Sequence, residues 1–325
     1  MSDLDRILVG SSDQMNNLRR NLIQVANTGP GFNVILIGAT GTGKEVAARA
    51  IHQLSPSGKA KKPYEVLNCS GLNEQLFESF LFGYTRGAFT GANKESPGLL
   101  GKIDKNFTQA ASEKAEFAGT LFLDELHDLP PITQGLLLRF LESGEYRRLG
   151  DMNIRHAKVH VIAALQPGEE MRGRLRDDLY NRLAEVEISL PELNDRPGDI
   201  REISVELLRN LKTEQPTPVC FFNGKSSRLE DGRIAQVLDN EKFFADLEKH
   251  DWSRGNVREL RSILKRAALL DDFTLPSSGA SNNASAHPVA TDSVQIILPE
   301  DPDKLLTARD VKAEYIQKVY DKLKN

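Results

Sequence analysis

Asn33-Val34-Ile35-Leu36-Ile37-Gly38-Ala39-Thr40-Gly41-Thr42-Gly43-Lys44-Glu45 is the stretch that decides the fold. Asn33 to Ile37 is a short, largely β-branched run of the kind that fills a buried strand. Gly38, Gly43 and Lys44 keep the spacing of a P-loop: glycine, four residues, glycine, lysine. From Glu45 to Gln53 the alanines, Val46 and Ile51 suit a helix. In that context the backbone N–H groups of Gly38, Ala39, Thr40, Gly41, Thr42 and Gly43 can wrap phosphate oxygens at a helix N-terminus, while Lys44 reaches the terminal phosphates. The expectation is an α/β chain with a parallel sheet flanked by helices, binding ATP. Glu45 stands where a P-loop usually has the Ser or Thr that holds magnesium. Metal binding must therefore lean on another carboxylate.

Gly119-Thr120-Leu121-Phe122-Leu123-Asp124-Glu125 supplies it. An apolar strand ending in two acids has Walker B form, in which Asp124 holds magnesium directly or through water and Glu125 polarises the attacking water. The bland alternative, an acidic pair capping a helix, loses ground because the P-loop partner is present. Between the two halves lies Gly87-Ala88-Phe89-Thr90-Gly91-Ala92, which has no role in holding nucleotide. Two glycines and small residues around one aromatic describe a mobile loop tip with a single apolar contact to offer. Alone it could be an ordinary surface turn.

Five motifs occur in order along the chain: GATGTGKE, GAFTGA, GTLFLDE, LRDDLYNRL and WSRGNVRELR. Together they resemble the AAA+ domain of bacterial enhancer-binding proteins, the activators of RNA polymerase carrying sigma-54, over about residues 5 to 270. The GAFTGA loop is the most specific part of the resemblance. It implies a P-loop AAA+ sheet followed by a smaller all-helical lid, an ATPase activity, and ATP with magnesium as cofactors. It implies that Gly87, Ala88, Phe89, Thr90, Gly91 and Ala92 touch sigma-54. Asn68 matches the asparagine that holds the catalytic glutamate in check until ATP is sensed, which suits an amide able to bond Glu125. Arg176 and Arg182 match arginine fingers that enter the neighbouring subunit's site, so that the chain is expected in a homo-oligomeric ring, a hexamer. For an isolated arginine a salt-bridged helix face is the ordinary alternative. Arg258 matches the second sensor, which reports the γ-phosphate to the lid; an ion pair with Glu259 or a neighbouring helix is its alternative. Val9 and Gly10 complete the nucleotide-contacting set with Glu45.

Several positions depart from the family pattern. The strand Val159 to Ala164 runs into Leu165-Gln166 where the first sensor is Thr-Asn. Leu165 cannot hydrogen-bond a phosphate, so sensing falls to Gln166 or is weakened. His127 stands in place of a glycine just beyond Glu125, and Leu193-Asn194-Asp195-Arg196 replaces a more basic run. The stretch Asn93 to Ala118 is longer than the family pattern, as functional loops often are.

Composition fits an ordinary globular protein: 325 residues, 27% charged, 39% hydrophobic and a net charge of −4, which excludes a globally basic nucleic-acid binder. No apolar run is long enough to span a membrane. The acidic start Met1-Ser2-Asp3-Leu4-Asp5 argues against a signal peptide. Cys69 and Cys220 show no CxxC spacing, and reduced cytoplasmic thiols are the default. His156 and His160 fall on a strand, where residues four apart lie roughly 13 Å from each other, so they do not make a metal pair.

Four segments are expected: the α/β ATPase part with its loop over 1–190, the helical lid over 191–272, a flexible linker over 273–300, and an amphipathic helix over 301–325. Within the first, Leu18, Leu22 and Val25 mark an entry helix. The lid is expected to include Ile200 to Leu211 and Val257 to Leu270, with an irregular segment around Gln215 to Asp231. Neither a signal-receiving module nor a DNA-binding helix-turn-helix is read in this sequence, so contact with promoter DNA is indirect. Either the chain is trimmed or the protein works without its own DNA anchor. The mechanism expected from the resemblance is a ring that raises the GAFTGA loop toward sigma-54 on binding ATP and retracts it on hydrolysis. Two rivals stay open: a AAA+ remodeller of another protein, and a nucleotide-gated scaffold with little turnover.

Overall fold

The computed structural model describes residues 8–103, 117–168, 174–213 and 231–276. Helix α1 (Asp13–Thr28) starts at Ser12, whose hydroxyl accepts from the Met15 N–H, and it buries Met15, Leu18, Leu22 and Ala26 as one stripe. There follow β1 (Val34–Ile37), α2 (Lys44–Leu54), α3 (Pro56–Lys59), β2 (Tyr64–Asn68), α4 (Glu74–Leu81), α5 (Gly98–Ile103) and β3 (Thr120–Asp124). Next come α6 (Pro131–Ser143), a short hairpin of β4 (Glu145–Tyr146) and β5 (Arg155–His156), then β6 (His160–Leu165), α7 (Asp177–Leu183) and β7 (Val186–Ser189). The helical part is α8 (Ile200–Thr213), α9 (Asp231–Leu238), α10 (Glu241–Lys249) and α11 (Asn256–Leu270).

Among the described residues the main sheet has the order β2-β3-β6-β1-β7, with every neighbouring pair parallel. Side chains alternate between its faces, as a pleated strand requires. Ile35, Leu121, Leu123, Val161, Ala163 and Leu165 join one apolar cluster with residues of α4, α6 and α7. Val34, Leu36, Phe122, Ile162 and Ala164 join the other, under α1 and α2. Strands buried on both faces read as unbroken apolar runs rather than alternating ones, which is why β3 and β6 are so plainly visible in the sequence. The strand order matters for function. β6 lies between β1, which ends in the P-loop, and β3, which ends in Asp124.

The helical part packs on itself around Trp252, which is 1% exposed and donates its indole N–H to the Leu247 carbonyl at 3.1 Å. Ile200, Leu208, Phe243, Leu260 and Leu264 surround it. Burying one such large side chain contributes roughly 1.5–3 kcal/mol. The expected linker and C-terminal helix lie, from Ser277 on, outside the described residues. So do 104–116 of the long stretch after the GAFTGA loop and 214–230 of the segment expected to be irregular. The described beginning of that long stretch is not merely loop, since Gly98–Ile103 forms α5 and buries Leu100 and Ile103.

His160 opens β6 at 1% exposure, and burial holds its imidazole down at about 4, below the ordinary 6.5. Between those values the unfolded chain takes up a proton that the folded chain refuses. Stability is therefore complete above pH 6.5 and falls as the pH drops toward 4, by on the order of 3 kcal/mol for this group. Thermal unfolding followed from pH 7 to pH 4 should show that loss, and His160→Val, which suits a strand, should flatten it. An equally steep fall in the variant would assign the effect elsewhere.

Candidate nucleotide site and coupling loop

The P-loop is fixed from several sides. The Gly38 N–H donates to the Leu165 carbonyl at 3.2 Å, tying the loop's first residue to the end of β6. Lys44 opens α2 behind Gly43, and its ammonium donates to the carbonyls of Gly38 at 2.6 Å and Ala39 at 3.3 Å. Thr42 closes the loop through its hydroxyl on the Ala39 carbonyl at 2.8 Å. Gly41 has φ +79°, and a Cβ there would stand 2.0 Å from the Gly255 carbonyl oxygen, so only glycine lets the lid approach this closely.

That approach is made by the first turn of α11. Asn256 is fully buried in the left-handed region at φ 47°, a conformation asparagine tolerates better than most side chains. Its amide donates to the Thr40 carbonyl at 3.1 Å, and its oxygen accepts from the Leu193 N–H at 2.8 Å. The Val257 N–H donates to the Gly41 carbonyl at 3.2 Å. One residue thus links the phosphate loop, the segment leaving the sheet and the lid. Arg258, two residues on, faces the cleft.

The cleft has a volume of about 480 Å³, within the usual range of small-molecule sites. It has two kinds of wall. Thr40 to Glu45, Asp124, Glu125, Arg258 and Arg261 give one polar region; Leu8, Val9, Met15, Leu18, Ile203 and Leu207 give an apolar one. Burial pushes the Lys44 ammonium down, with Glu125 and Asp124 pulling it back up and Arg258 adding to the fall. Burial, helped by Glu125, raises Asp124, while Lys44 opposes the rise. Both partners of this pair are thus made less comfortable in their charged forms by burial, which favours a site that takes a compensating anion and cation together.

The structure brings Thr40, Gly41, Thr42, Gly43, Lys44, Glu45, Asp124, Glu125, Arg258 and Val9 to this cleft. Gly38 and Ala39 lie beneath it as acceptors for Lys44. Gly10 packs beside it, its carbonyl accepting from Arg19. The Glu45 carboxylate pairs with Arg49 at 2.9 Å. Arg176 and Arg182 stand apart from the cleft's lining. Arg176 precedes α7 and pairs with Asp178 at 2.6 Å; Arg182 donates to the Leu141 carbonyl at 3.1 Å and lies 3.7 Å from Glu185. Sequence reasoning missed Arg196, 4% exposed and lining the cleft, and the face of α8 that carries Ile203, Glu206, Leu207 and Asn210. The helical spacing was visible, since those four residues fall at i, i+3, i+4, i+7, but with Glu206 and Asn210 polar it does not say which wall that face completes.

Glu125 itself sits in the left-handed region, φ 51° and ψ 47°, at the start of a 3₁₀ turn over Leu126–Asp128. That conformation costs roughly 1–2 kcal/mol for a residue with a Cβ. Its N–H donates to Asp124 Oδ1 at 3.1 Å and its carbonyl accepts from the Asp128 N–H at 3.1 Å, which hold the turn. Asn68, on the far side of β3, aligns with Asp124 in register, and its side-chain oxygen accepts from the Ser70 N–H at 2.9 Å. Buried His127 places Nδ1 3.7 Å from Glu125 Oε2 and Nε2 3.6 Å from Asp128 Oδ1. Leu165 is fully buried in the sheet's apolar cluster, which accounts for an apolar residue at that position.

The GAFTGA segment is a compact turn: the Gly87 N–H donates to the Ala92 carbonyl at 2.9 Å and the Ala92 N–H to the Phe89 carbonyl at 3.0 Å. Gly87 and Gly91 take positive φ, and Thr90 is exposed. Phe89 is not held out alone; its ring meets Tyr84 edge-on at 5.0 Å and is half-buried. Partial burial on a neighbouring ring contributes roughly 0.5–1.5 kcal/mol beyond area. At the base of the turn the Thr85 N–H donates to the Leu149 carbonyl, and the Leu149 N–H to the Gly83 carbonyl, both at 2.9 Å.

A P-loop and a Walker B pair at the carboxyl ends of a parallel sheet, closed by a helical lid, define a nucleotide-binding protein of AAA+ architecture. The sigma-54 interaction domain, an AAA+ ATPase domain, matches residues 8–189, and the chain belongs to that family. The Nif-specific regulatory protein of Azotobacter vinelandii is 34% identical over 271 residues, covering 82% of this chain and 45% of that protein. The transcriptional regulatory protein ZraR of Escherichia coli strain K12 is 37% identical over 267 residues, covering 81% of this chain and 52% of that one. The chain spans about half the length of these curated relatives. The crystal structure of NtrX from Brucella abortus in complex with ATP is similar with a TM-score of 0.61 at 25% identity, covering 86% of this chain and 57% of that one. The same protein in complex with ADP gives a TM-score of 0.60 at 27% identity, covering 81% and 51%. Among the described residues no helix is long and apolar enough to cross a membrane.

Proposed function

We propose that the chain hydrolyses ATP to ADP and phosphate and uses the cycle to remodel the closed promoter complex of RNA polymerase carrying sigma-54, acting in the cytoplasm as a ring, a hexamer. The observation that carries this reading is the pairing of the Lys44–Asp124–Glu125 cleft with a GAFTGA turn that takes no part in that cleft. In this reading Lys44 and the N–H groups of the P-loop bind the phosphates, and the apolar wall around Leu8, Val9 and Leu207 takes the base. Glu125 orients and deprotonates the attacking water. Arg258 reads the phosphates from the lid.

The donor set fits magnesium. The described residues hold no cluster of three or more acids, histidines or cysteines that could cage a metal. One carboxylate, Asp124, beside a phosphate-binding loop is what a cation that keeps several waters and shares substrate phosphates asks for. Magnesium when bound would supply charge neutralisation at the phosphates, and Asp124 is the residue that would hold it. Arg176 and Arg182 serve a neighbour's cleft, a role consistent with their exposure and their absence from this one. The division between 1–190 and 191–272 is kept, on the ground that the sheet's two apolar clusters and the lid's cluster share no buried residue; Phe273 and Leu275, at the start of the expected linker, pack against the lid's cluster.

The test is coupling. Thr90→Ala and Phe89→Ala alter the turn away from the cleft, so ATP turnover should persist. Loss of one good aromatic anchor typically costs about two to three decades in affinity. Binding of sigma-54 to protein trapped with a transition-state mimic, and open-complex formation on a premelted promoter, should both fail. Unimpaired engagement by both variants would remove the loop as the coupling element. No sigma-54 binding by the parent chain would favour another remodelling target.

A further inference from the structure

β6 is the strand between the two halves of the hydrolytic site, and the residue that leaves its carboxyl end is Gln166. Its backbone neighbour Leu165 accepts from the Gly38 N–H at 3.2 Å, which fixes this end of β6 to the start of the P-loop. On the other side β6 is in parallel register with β3, Ala163 beside Leu123, so that Gln166 and Glu125 emerge next to each other. The Gln166 Nε2 amide donates to Glu125 Oε2 at 3.3 Å. Asn68 leaves β2, the strand on the opposite flank of β3, and its carbonyl oxygen is engaged by the Ser70 N–H.

From this placement we infer that Gln166 is the positioning residue that holds the Glu125 carboxylate in this chain, joining its orientation to the position of the P-loop. The resemblance gives that restraint to Asn68; the geometry gives it to the residue at the first-sensor position. The inference rests on the hydrolytic reading of Glu125. Its chemical logic is simple. A carboxylate that must aim a water at a phosphorus atom needs a fixed rotamer; the turn beneath it is held by the Glu125 N–H on Asp124 Oδ1 and the Asp128 N–H on the Glu125 carbonyl, while the Glu125 carboxylate itself accepts from Gln166, with His127 Nδ1 farther off at 3.7 Å. An amide donor is a suitable restraint because it favours the ionised, proton-accepting form without competing for the proton. The arm of glutamine also accounts for the departure from Thr-Asn: one more methylene lets an amide just past β6 reach the carboxylate just past β3. Because the same strand end is bonded to Gly38, a shift of the P-loop on taking up phosphates is transmitted to the group that aims the water.

The experiment is a set of steady-state ATPase assays with ATP affinity measured separately, on the full chain and on Gln166→Ala, Gln166→Asn, Asn68→Ala, Glu125→Gln and the double variant Glu125→Gln/Gln166→Ala. Misplacing a catalytic group by about 1 Å costs about a hundredfold, so Gln166→Ala should lose turnover on that scale with ATP affinity unchanged. Gln166→Asn, which keeps the donor on a shorter arm, should recover part of it. In the Glu125→Gln background the alanine should cost nothing further, since Gln166 acts through Glu125. Unchanged turnover in Gln166→Ala, a loss that appears in affinity, full additivity with Glu125→Gln, or a larger loss from Asn68→Ala than from Gln166→Ala would each overturn the assignment while leaving the hydrolytic reading intact. Absence of turnover in the parent chain would overturn both.

Discussion

Glu125→Gln should stop ATP turnover while leaving ATP bound. The expected loss is about a thousandfold, within the span that general-base catalysis contributes. The amide fills the same space and can keep its place in the 3₁₀ turn, because the bonds that hold that turn run through the Glu125 backbone and the Asp124 carboxylate rather than through the Glu125 side chain. Lys44, the P-loop N–H groups and the apolar wall of the cleft are untouched, so affinity for ATP should be that of the parent. Phosphate release and nucleotide binding measured on the same preparation decide it. Turnover close to the parent's would free Glu125 from its role and direct attention to Asp124. Loss of binding together with turnover would show that the substitution had disturbed the P-loop rather than the chemistry.

Much of this site was legible because its parts are punctuated by residues with few alternatives. The run from Asn33 to Lys44 gives strand, loop and helix start, and β1 and α2 begin within a residue of the sequence-based boundaries. Asp124 ends, and Glu125 follows, a strand whose Leu121, Phe122 and Leu123 are all fully buried. What could not be read was adjacency. Nothing in Leu165-Gln166 says that β6 lies between β1 and β3, so the contact from Gln166 to Glu125 needed the strand order. The same holds for Asn256, whose importance comes from bonds to Thr40 and Leu193, far away in sequence. Phe89 shows a different limit. Loop composition marks a tip that can offer an aromatic ring, yet not the ring of Tyr84 on which Phe89 rests, because such local burial depends on where the chain returns. The cleft-facing stripe of α8 was hidden for a related reason: an amphipathic helix announces that it has an apolar face, not which wall it completes.

Arg176→Ala and Arg182→Ala should each reduce hydrolysis by about three to five decades, the range found when an arginine supplied by a neighbour is removed from phosphoryl transfer. The cleft of the same subunit stays complete in both variants, since neither arginine lines it. Arg176 pairs with exposed Asp178, whereas half-buried Arg182 donates to the partly buried Leu141 carbonyl and lies near Glu185. An exposed pair such as Arg176–Asp178 contributes little to stability, and leaving one partly buried carbonyl short of a donor costs on the order of 1–3 kcal/mol, so the fold should survive either removal. That leaves the shared site as the explanation for a large loss. Mixing sharpens the test, because Lys44→Ala removes a subunit's own phosphate grip and keeps its arginines, while Arg176→Ala does the reverse. A mixed ring contains some interfaces that pair an intact cleft with intact arginines, and activity should reappear in the mixture though neither variant has it alone. Turnover per subunit should also rise with protein concentration as rings assemble. Dilute, monomeric chain hydrolysing ATP as fast as concentrated chain would show that the site is complete within one subunit, and Arg176 and Arg182 would then be what their surroundings suggest at first sight, the salt-bridged edge of a helix.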